Sequence, residues 1–227
     1  MRVKVCVSVS ATAIPELLGR VQQAQRSTAD MIEVRLDKLR NYHGLSKVAR
    51  SVDRPLIATN RPLAEKGSYG GSETERLKVL QEAVEEGFEY VDLEITTSKL
   101  EPAIKNLRQK STKIILSHHD HFRTPDQSKM DAILSQLQKQ KPDICKIVTT
   151  AQFPDDNLNI LSFLRKNHHA APLVSFAMGK AGVWSRLLAP FYGAAFTYAA
   201  LERGLETAPG QPTISELRSV YETLGLE

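Results

Sequence analysis

Eight short runs of β-branched and other apolar residues recur along this chain, separated by amphipathic stretches, and no other feature narrows the fold as much. The runs fall at 3–8, 31–37, 56–60, 90–95, 113–119, 144–149, 173–177 and 194–198. Helical patterns fill the gaps. Leu17, Leu18 and Val21 share a face within 15–25, and Leu77, Leu80 and Val84 share one within 72–86, which Gly87 should end. Thr124-Pro125 reads as an N-cap followed by proline in the first turn. Thr213-x-x-Glu216 reads as the capping box of a closing helix over 213–224. Eight alternating units predict a single-domain (β/α)8 TIM barrel over 1–227. An open doubly wound sheet is the competing architecture. It usually carries a glycine-rich turn after its first strand, where this chain reads Ser8-Val9-Ser10-Ala11-Thr12.

Strand side chains alternate between faces, and the alternation collects polar residues. Glu33, Arg35 and Asp37 share one face of the second run; Thr59 and, beyond the strand, Arg61 share one of the third. Asp92 and Glu94 oppose Val91, Leu93 and Ile95 in the fourth; Ser117 and His119 oppose Leu116 and His118 in the fifth. In the sixth, Asp143-Ile144-Cys145-Lys146-Ile147-Val148, a lysine stands inside an apolar strand. For any one strand this is also the pattern of a solvent-facing side, and Lys146 alone also fits a strand-end lysine that snorkels to water. In a barrel, however, these residues point inward, and charges there must be paired. They gather toward the C-terminal ends of the strands, where barrel active sites lie. A buried lysine is either paired or partly neutral, and a neutral amine attacks ketones to form Schiff bases. His119 is the natural acid and base. The loop 61–71 supplies Arg61 and Glu65 to the same mouth; Ser185-Arg186 and the Thr207–Gln211 segment offer a guanidinium and hydrogen-bonding groups.

Composition removes several function classes. Thirty Lys and Arg against 26 Asp and Glu give a net charge of +4, spread along the chain, and aromatics are only 6%. No basic stripe with aromatic partners marks a nucleic-acid surface. No apolar stretch is long enough to span a membrane, and the N-terminal run Met1–Val7 alternates like a strand and lacks the apolar core of a signal peptide. The expectation is a cytoplasmic protein with no nucleic-acid or membrane partner. The two cysteines, Cys6 and Cys145, lie in apolar runs and read as core thiols; a disulfide between them is the minority reading. The cluster His118-His119-Asp120-His121 suggests a metal, but adjacent strand residues point apart and no second ligand group lies at the usual spacing, so no metal is expected.

The ordered set of motifs resembles type I 3-dehydroquinate dehydratase. It rests on Glu33-Val34-Arg35-Leu36-Asp37, Arg61 with Glu65, Asp92-Leu93-Glu94, and Ser117-His118-His119-Asp120 with Thr124-Pro125. It continues through Asp143-Ile144-Cys145-Lys146-Ile147, Met178-Gly179, Ser185-Arg186 and Ala208-Pro209-Gly210-Gln211. Each motif is weak alone; their order along nearly the whole chain is specific.

The resemblance implies a (β/α)8 fold and syn elimination of water from 3-dehydroquinate to 3-dehydroshikimate. Lys146 would form the Schiff base; His119 would take the proton beside it and return it to the leaving hydroxyl. By the same resemblance Glu65 would pair with His119. Glu33, Arg35 and Arg61 would hold ring hydroxyls, and Arg186, Thr207 and Gln211 the carboxylate. Met178 would line the pocket, with Asp92, Glu94 and Ser117 behind it. It further implies no cofactor, a homodimer, and a place in the shikimate pathway of aromatic amino acid biosynthesis. Three positions depart from the family pattern: Thr207 stands for serine, Lys66-Gly67 follows Glu65 in place of two glycines, and His121 precedes the aromatic Phe122 that usually follows the His-Asp pair directly. The last raises a register choice between His118 and His119, which spacing and parity with Ser117 resolve to His119. A lysine aldolase on a similar barrel is the enzymatic rival; it would not need the His119–Glu65 pair or the Gln211 segment. A binding protein without turnover is the other rival, and it should have lost Lys146 or His119.

Overall fold

In a computed structural model that describes residues 3–108, 112–169 and 171–226, the β-branched runs form parallel strands that alternate with α-helices. Met1 and Arg2, which open the first alternating run, lie outside the described residues. The strands are β1 (Val5–Ser10), β2 (Met31–Arg35), β3 (Leu56–Thr59), β4 (Tyr90–Glu94), β5 (Lys113–His119), β6 (Ile144–Thr150), β7 (Leu173–Met178) and β8 (Thr197–Ala200). Each pairs in parallel with the next from β1 to β7, and β8 returns beside β1. Between β7 and β8 the described residues show no ladder, but Ala195 N donates to Leu173 O at 2.8 Å where the two strands begin. The result is a nearly closed (β/α)8 barrel.

The ends of β1, β2 and β8 differ most from the sequence reading, β2 stopping at Arg35 where the 3-10 turn Leu36–Lys38 begins. β1 begins at Val5, because the Val3 carbonyl accepts from Arg218 Nη1 at 2.9 Å and so serves the last helix. β8 begins at Thr197, since Ala194 N bonds back to Ala189 O across a turn. The helices are α1 (Ile14–Arg26), α2 (Leu45–Ala49), α3 (Glu73–Glu85), α4 (Leu100–Leu107), α5 (Gln127–Lys139), α6 (Asp156–Asn167), α7 (Val183–Leu188) and α8 (Ile214–Thr223). α3 opens on a capping box from Ser72 to Glu75, and Gly87 behind it takes φ +108°, which only glycine adopts without strain. α8 opens on the Thr213–Glu216 box that the sequence predicts. α5 does not start at Thr124-Pro125. Its cap is Asp126, which accepts from Lys129 N, while the Thr124 hydroxyl turns to Thr149 Oγ1 and Thr150 O at 2.8 and 3.2 Å.

Alternation divides the interior in two. Outward strand residues such as Val7, Val34, Leu93, Leu116 and Ile147 pack with buried helix residues such as Leu17, Leu80, Leu134 and Leu217 in the main core. Inward residues near the strand starts, including Cys6, Met31, Ile57, Ile115, Ile144, Val174 and Phe196, form a separate apolar plug inside the barrel. Two residues further along the same face the chain turns polar: Ser8, Glu33, Thr59, Ser117 and Lys146, with Asp92 two beyond Tyr90. The apolar base closes the barrel and the polar tier faces its mouth. Cys6 lies in the inner cluster and Cys145 in the outer one; both are free thiols, so they form no disulfide.

Thr213 is buried and caps the helix that ties the C-terminal segment to the first strand. Thr213→Ala should lower stability by about 1 kcal/mol. Urea unfolding should show a lower midpoint at unchanged slope; an unchanged midpoint would show that the cap is dispensable.

Candidate active site

The C-terminal ends of the strands open into a cavity of about 370 Å³. Glu33 and Arg35 enter it from β2, Lys146 from β6, His119 from the end of β5 and Met178 from the end of β7. Arg61 and Glu65 come from the connection after β3, Arg186 from α7, and Thr207 and Gln211 from the loop after β8. All ten line one cavity, while Asp92, Glu94 and Ser117 lie fully buried behind it. Among the described residues no group of three His, Cys, Asp or Glu is arranged to hold a metal ion.

A chain of alternating charges runs through the site. Lys146 Nζ bonds Asp92 Oδ2 at 2.7 Å, lies 3.8 Å from Glu33 Oε1, and donates to the Tyr198 hydroxyl at 3.2 Å. Arg61 holds Asp92 Oδ1 at 3.0 Å, Glu94 Oε1 at 2.6 Å and Ser117 Oγ at 3.1 Å. Glu94 Oε2 accepts from Arg76 Nη1 at 2.7 Å, and Arg76 also takes both oxygens of Glu73 on the surface of α3. Burial pushes the Asp92 carboxyl up, but Arg61, Lys146 and His119 outweigh it and hold the group well below the usual carboxylate range. Burial pushes Arg61 down, and Asp92 and Glu94 outweigh it in turn. Glu94 goes the other way: burial wins over Arg61 and Arg76 and raises it.

Sequence reasoning finds neither Tyr198 nor Arg76. Tyr198 places its ring under Lys146 Nζ, 4.4 Å from the centroid, and burial raises its phenol well above the ordinary value. Its signal is parity, two residues after the inward Phe196. Arg76 is 1% exposed inside an amphipathic helix, and its signal is helical spacing, with Leu80 and Ala83 on the same buried face.

The histidine pair departs from expectation in one respect. His119 shares the inward face with Ser117, as parity requires, and His118 stays out of the cavity. Glu65, however, does not pair with His119. Its Oε1 accepts from Thr96 Oγ1 at 2.7 Å, and its Oε2 lies 3.6 Å from His121 Nε2, an ion-pair distance too long for a hydrogen bond. His121 neighbours both, its ring parallel to that of His119 at 5.7 Å between centroids. His119 Nδ1 is buried without a hydrogen-bond partner among the described residues. Burial, then Arg61 and Lys146, push His119 well below its ordinary value.

The Glu65 loop is tightly built. Tyr69 N donates to Arg61 O and Leu63 N to Tyr69 O, at 3.1 and 3.0 Å, and a side chain at Gly67 would collide with the Arg61 carbonyl. Asp37, placed by sequence on the inner face of β2, sits instead in the 3-10 turn Leu36–Lys38. There it binds Arg35 through both oxygens at 2.8 and 2.9 Å and accepts from Ser68 N at 2.9 Å, tying the loop to β2.

Arg186 is the exception to the pairing. It is 1% exposed, stacks 4.0 Å over the Phe176 ring centroid, and has no partner for Nε or Nη2 among the described residues. Burial pushes it down to about 9. Such donors call for a bidentate anion such as a carboxylate. Beside it, Thr207 directs N and Oγ1 at Gln211 Oε1, at 2.9 and 3.2 Å. The cavity thus offers an amine, a neutral imidazole and an anion clamp.

Comparison with known proteins fits this inventory. The family model for type I 3-dehydroquinase matches residues 5–227. A 3-dehydroquinate dehydratase of Dehalococcoides mccartyi is 37% identical over 197 residues, covering 86% of each chain. One of Thermococcus onnurineus is 35% identical, covering 90% of this chain and 92% of its own. The crystal structure of the type I 3-dehydroquinate dehydratase of Clostridium difficile, carrying covalently modified comenic acid, superposes with a TM-score of 0.90 at 25% identity, covering 98% of this chain and 92% of its own.

The surroundings of His119 fix the sign of its titration. Burial and two cations disfavour the imidazolium, so the ring stays neutral through pH 6.5 and protonates only below it. The nitrogen shifts of His119, followed by NMR against pH, should show this, and a midpoint at or above 6.5 would contradict it.

Proposed function

The chain belongs to the type I 3-dehydroquinase family, and we propose that it performs the syn elimination of water from 3-dehydroquinate, giving 3-dehydroshikimate, through a Schiff base on Lys146. The observation that carries the mechanism is the enclosure of Lys146, His119 and the unpartnered Arg186 in one cavity. Attack on the ketone needs the free amine. The neutral imidazole of His119 takes the ammonium proton and passes it to the carbinolamine hydroxyl, which leaves as water and gives the iminium. His119, neutral again, then removes a proton from the carbon beside the iminium, and an enamine forms. Collapse of the enamine expels the β-hydroxyl, which takes that proton and departs as water. Hydrolysis of the remaining Schiff base frees Lys146. No metal or organic cofactor enters these steps.

The neighbours support each stage. Asp92 and Glu33 face the nitrogen and stabilise the iminium charge. Arg61 has both terminal nitrogens committed to Asp92, Glu94 and Ser117, so it acts chiefly by fixing Asp92 under Lys146. Glu33 and Arg35 face the ring hydroxyls. Arg186 takes the carboxylate, with Thr207 and Gln211 beside it and Met178 against the ring. We further propose that the 227 residues work as one catalytic domain of a cytoplasmic homodimer in the shikimate pathway to chorismate and aromatic amino acids, with no nucleic-acid or membrane partner. Among the described residues no helix is long and apolar enough to cross a membrane.

Borohydride added during turnover of 3-dehydroquinate should leave a reduced adduct on Lys146, located by peptide mass, and Lys146→Ala should lose both adduct and turnover while keeping its fold. An unmodified Lys146, or an active alanine variant, removes the Schiff base from this site. Arg186→Ala should raise KM by roughly tenfold or more, from the loss of charged hydrogen bonds, with a smaller effect on kcat. A wild-type KM would separate Arg186 from the carboxylate.

A further inference from the structure

We propose that His121 is a positioning residue for the proton transfers at His119, the group through which Glu65 acts on that base. The inference rests on the reading of His119 as the catalytic base. Four observations carry it. His121 lines the same cavity. Its ring lies within 9° of parallel to that of His119, at 5.7 Å between centroids. Its Nε2 is the atom that Glu65 Oε2 approaches, at 3.6 Å, and this nitrogen is buried with no hydrogen bond among the described residues. Finally, His119 receives nothing directly from Glu65 and keeps a buried, unpartnered Nδ1.

The backbone at His121 is built for rigidity. Asp120 N donates to Val148 O at 2.8 Å, and the Asp120 carboxylate accepts from Phe122 N and Arg123 N at 2.9 and 3.0 Å. From the other side Lys66 reaches His121 O at 3.5 Å and lies 4.8 Å from the Phe122 ring centroid. Consecutive residues of the β3 loop, Glu65 and Lys66, therefore face the side chain and the backbone of one residue. A base presents its lone pair only when its ring is held, and ring orientation governs proton transfer steeply. An aromatic at this place would supply the stacking surface alone. His121 supplies the surface together with a nitrogen 3.6 Å from the Glu65 carboxylate, which links the loop to the base.

The test compares wild type, His121→Phe, His121→Gln, Glu65→Gln and the double variant His121→Phe with Glu65→Gln, each measured for kcat and KM on 3-dehydroquinate. His121→Phe keeps a ring and loses the nitrogen; His121→Gln keeps a partner for Glu65 and loses the ring. Each should lower kcat by about tenfold with KM within about threefold, because the loss falls on the transition state and not on binding. The double variant should be no slower than the worse single, as expected of residues acting through one another. If kcat of both His121 variants stays within twofold of wild type, or the losses of the double variant multiply, the proposal is overturned alone. Wild type that cannot dehydrate 3-dehydroquinate overturns the functional reading, and this inference with it.

Discussion

The contact between Lys146 Nζ and Asp92 Oδ2, 2.7 Å long and sealed inside the barrel, is the interaction on which the rest depends. Neither charge survives burial alone. Asp92 holds Lys146 only because Arg61 and Ser117 hold Asp92, and Arg61 is itself neutralised by Glu94. Glu94 in turn leans on Arg76, which is rooted in α3 and bonded to the Asn60 carbonyl and Thr97. The placement of one amine is thereby written into three strands and a helix. Removing one member leaves its neighbour charged, buried and unpaired, a change that costs about 3–5 kcal/mol in comparable sites. Site and fold draw on the same network.

Arg186 shows the opposite arrangement, and the contrast is informative. Asp92, Arg61 and Glu94, which hold Lys146 in place, have their hydrogen bonds filled; Arg186, the proposed ligand clamp, does not. Stacking on Phe176 keeps the guanidinium in place without using its donors. The cost of leaving Nε and Nη2 unpartnered is carried by the surrounding core and recovered when an anion arrives. Local rules of polar satisfaction fail at this side chain, as they do at His119 Nδ1 and His121 Nε2 in the same cavity, and such failures are expected at functional sites.

Much of the architecture was legible because it depends on period and chain order. Alternation in β5 and β6 put Ser117, His119 and Lys146 on one face, and the structure has them there. The Thr213 capping box needs only two side chains three residues apart, so local sequence sufficed. What sequence missed depends on contacts between distant segments. Val3 leaves the ladder because Arg218 claims its carbonyl. Thr124 fails to cap α5 because Thr149 and Thr150 of β6 offer better partners. Arg76 looks like any exposed helix arginine until Glu94 is brought opposite it. The Glu65–His119 pairing rests on resemblance alone, and in the structure Glu65 faces His121, whose ring stacks on that of His119.

The same two cations, Arg61 and Lys146, set the opposing states of the acid and the base. Acting on Asp92 they keep a buried carboxyl ionised; acting on His119 they help keep a buried imidazole neutral. A field of one sign thus yields one fixed anion and one free lone pair, the combination the proposed Schiff-base dehydration needs. Ligand binding then alters the balance in a useful direction. In the proposed complex, a carboxylate seated on Arg186 would bring negative charge into the cavity and favour the imidazolium, so His119 would become a stronger base with substrate bound. On the proposed mechanism, the unfilled cavity keeps His119 neutral, and a bound anion would raise its affinity for the proton it is proposed to take.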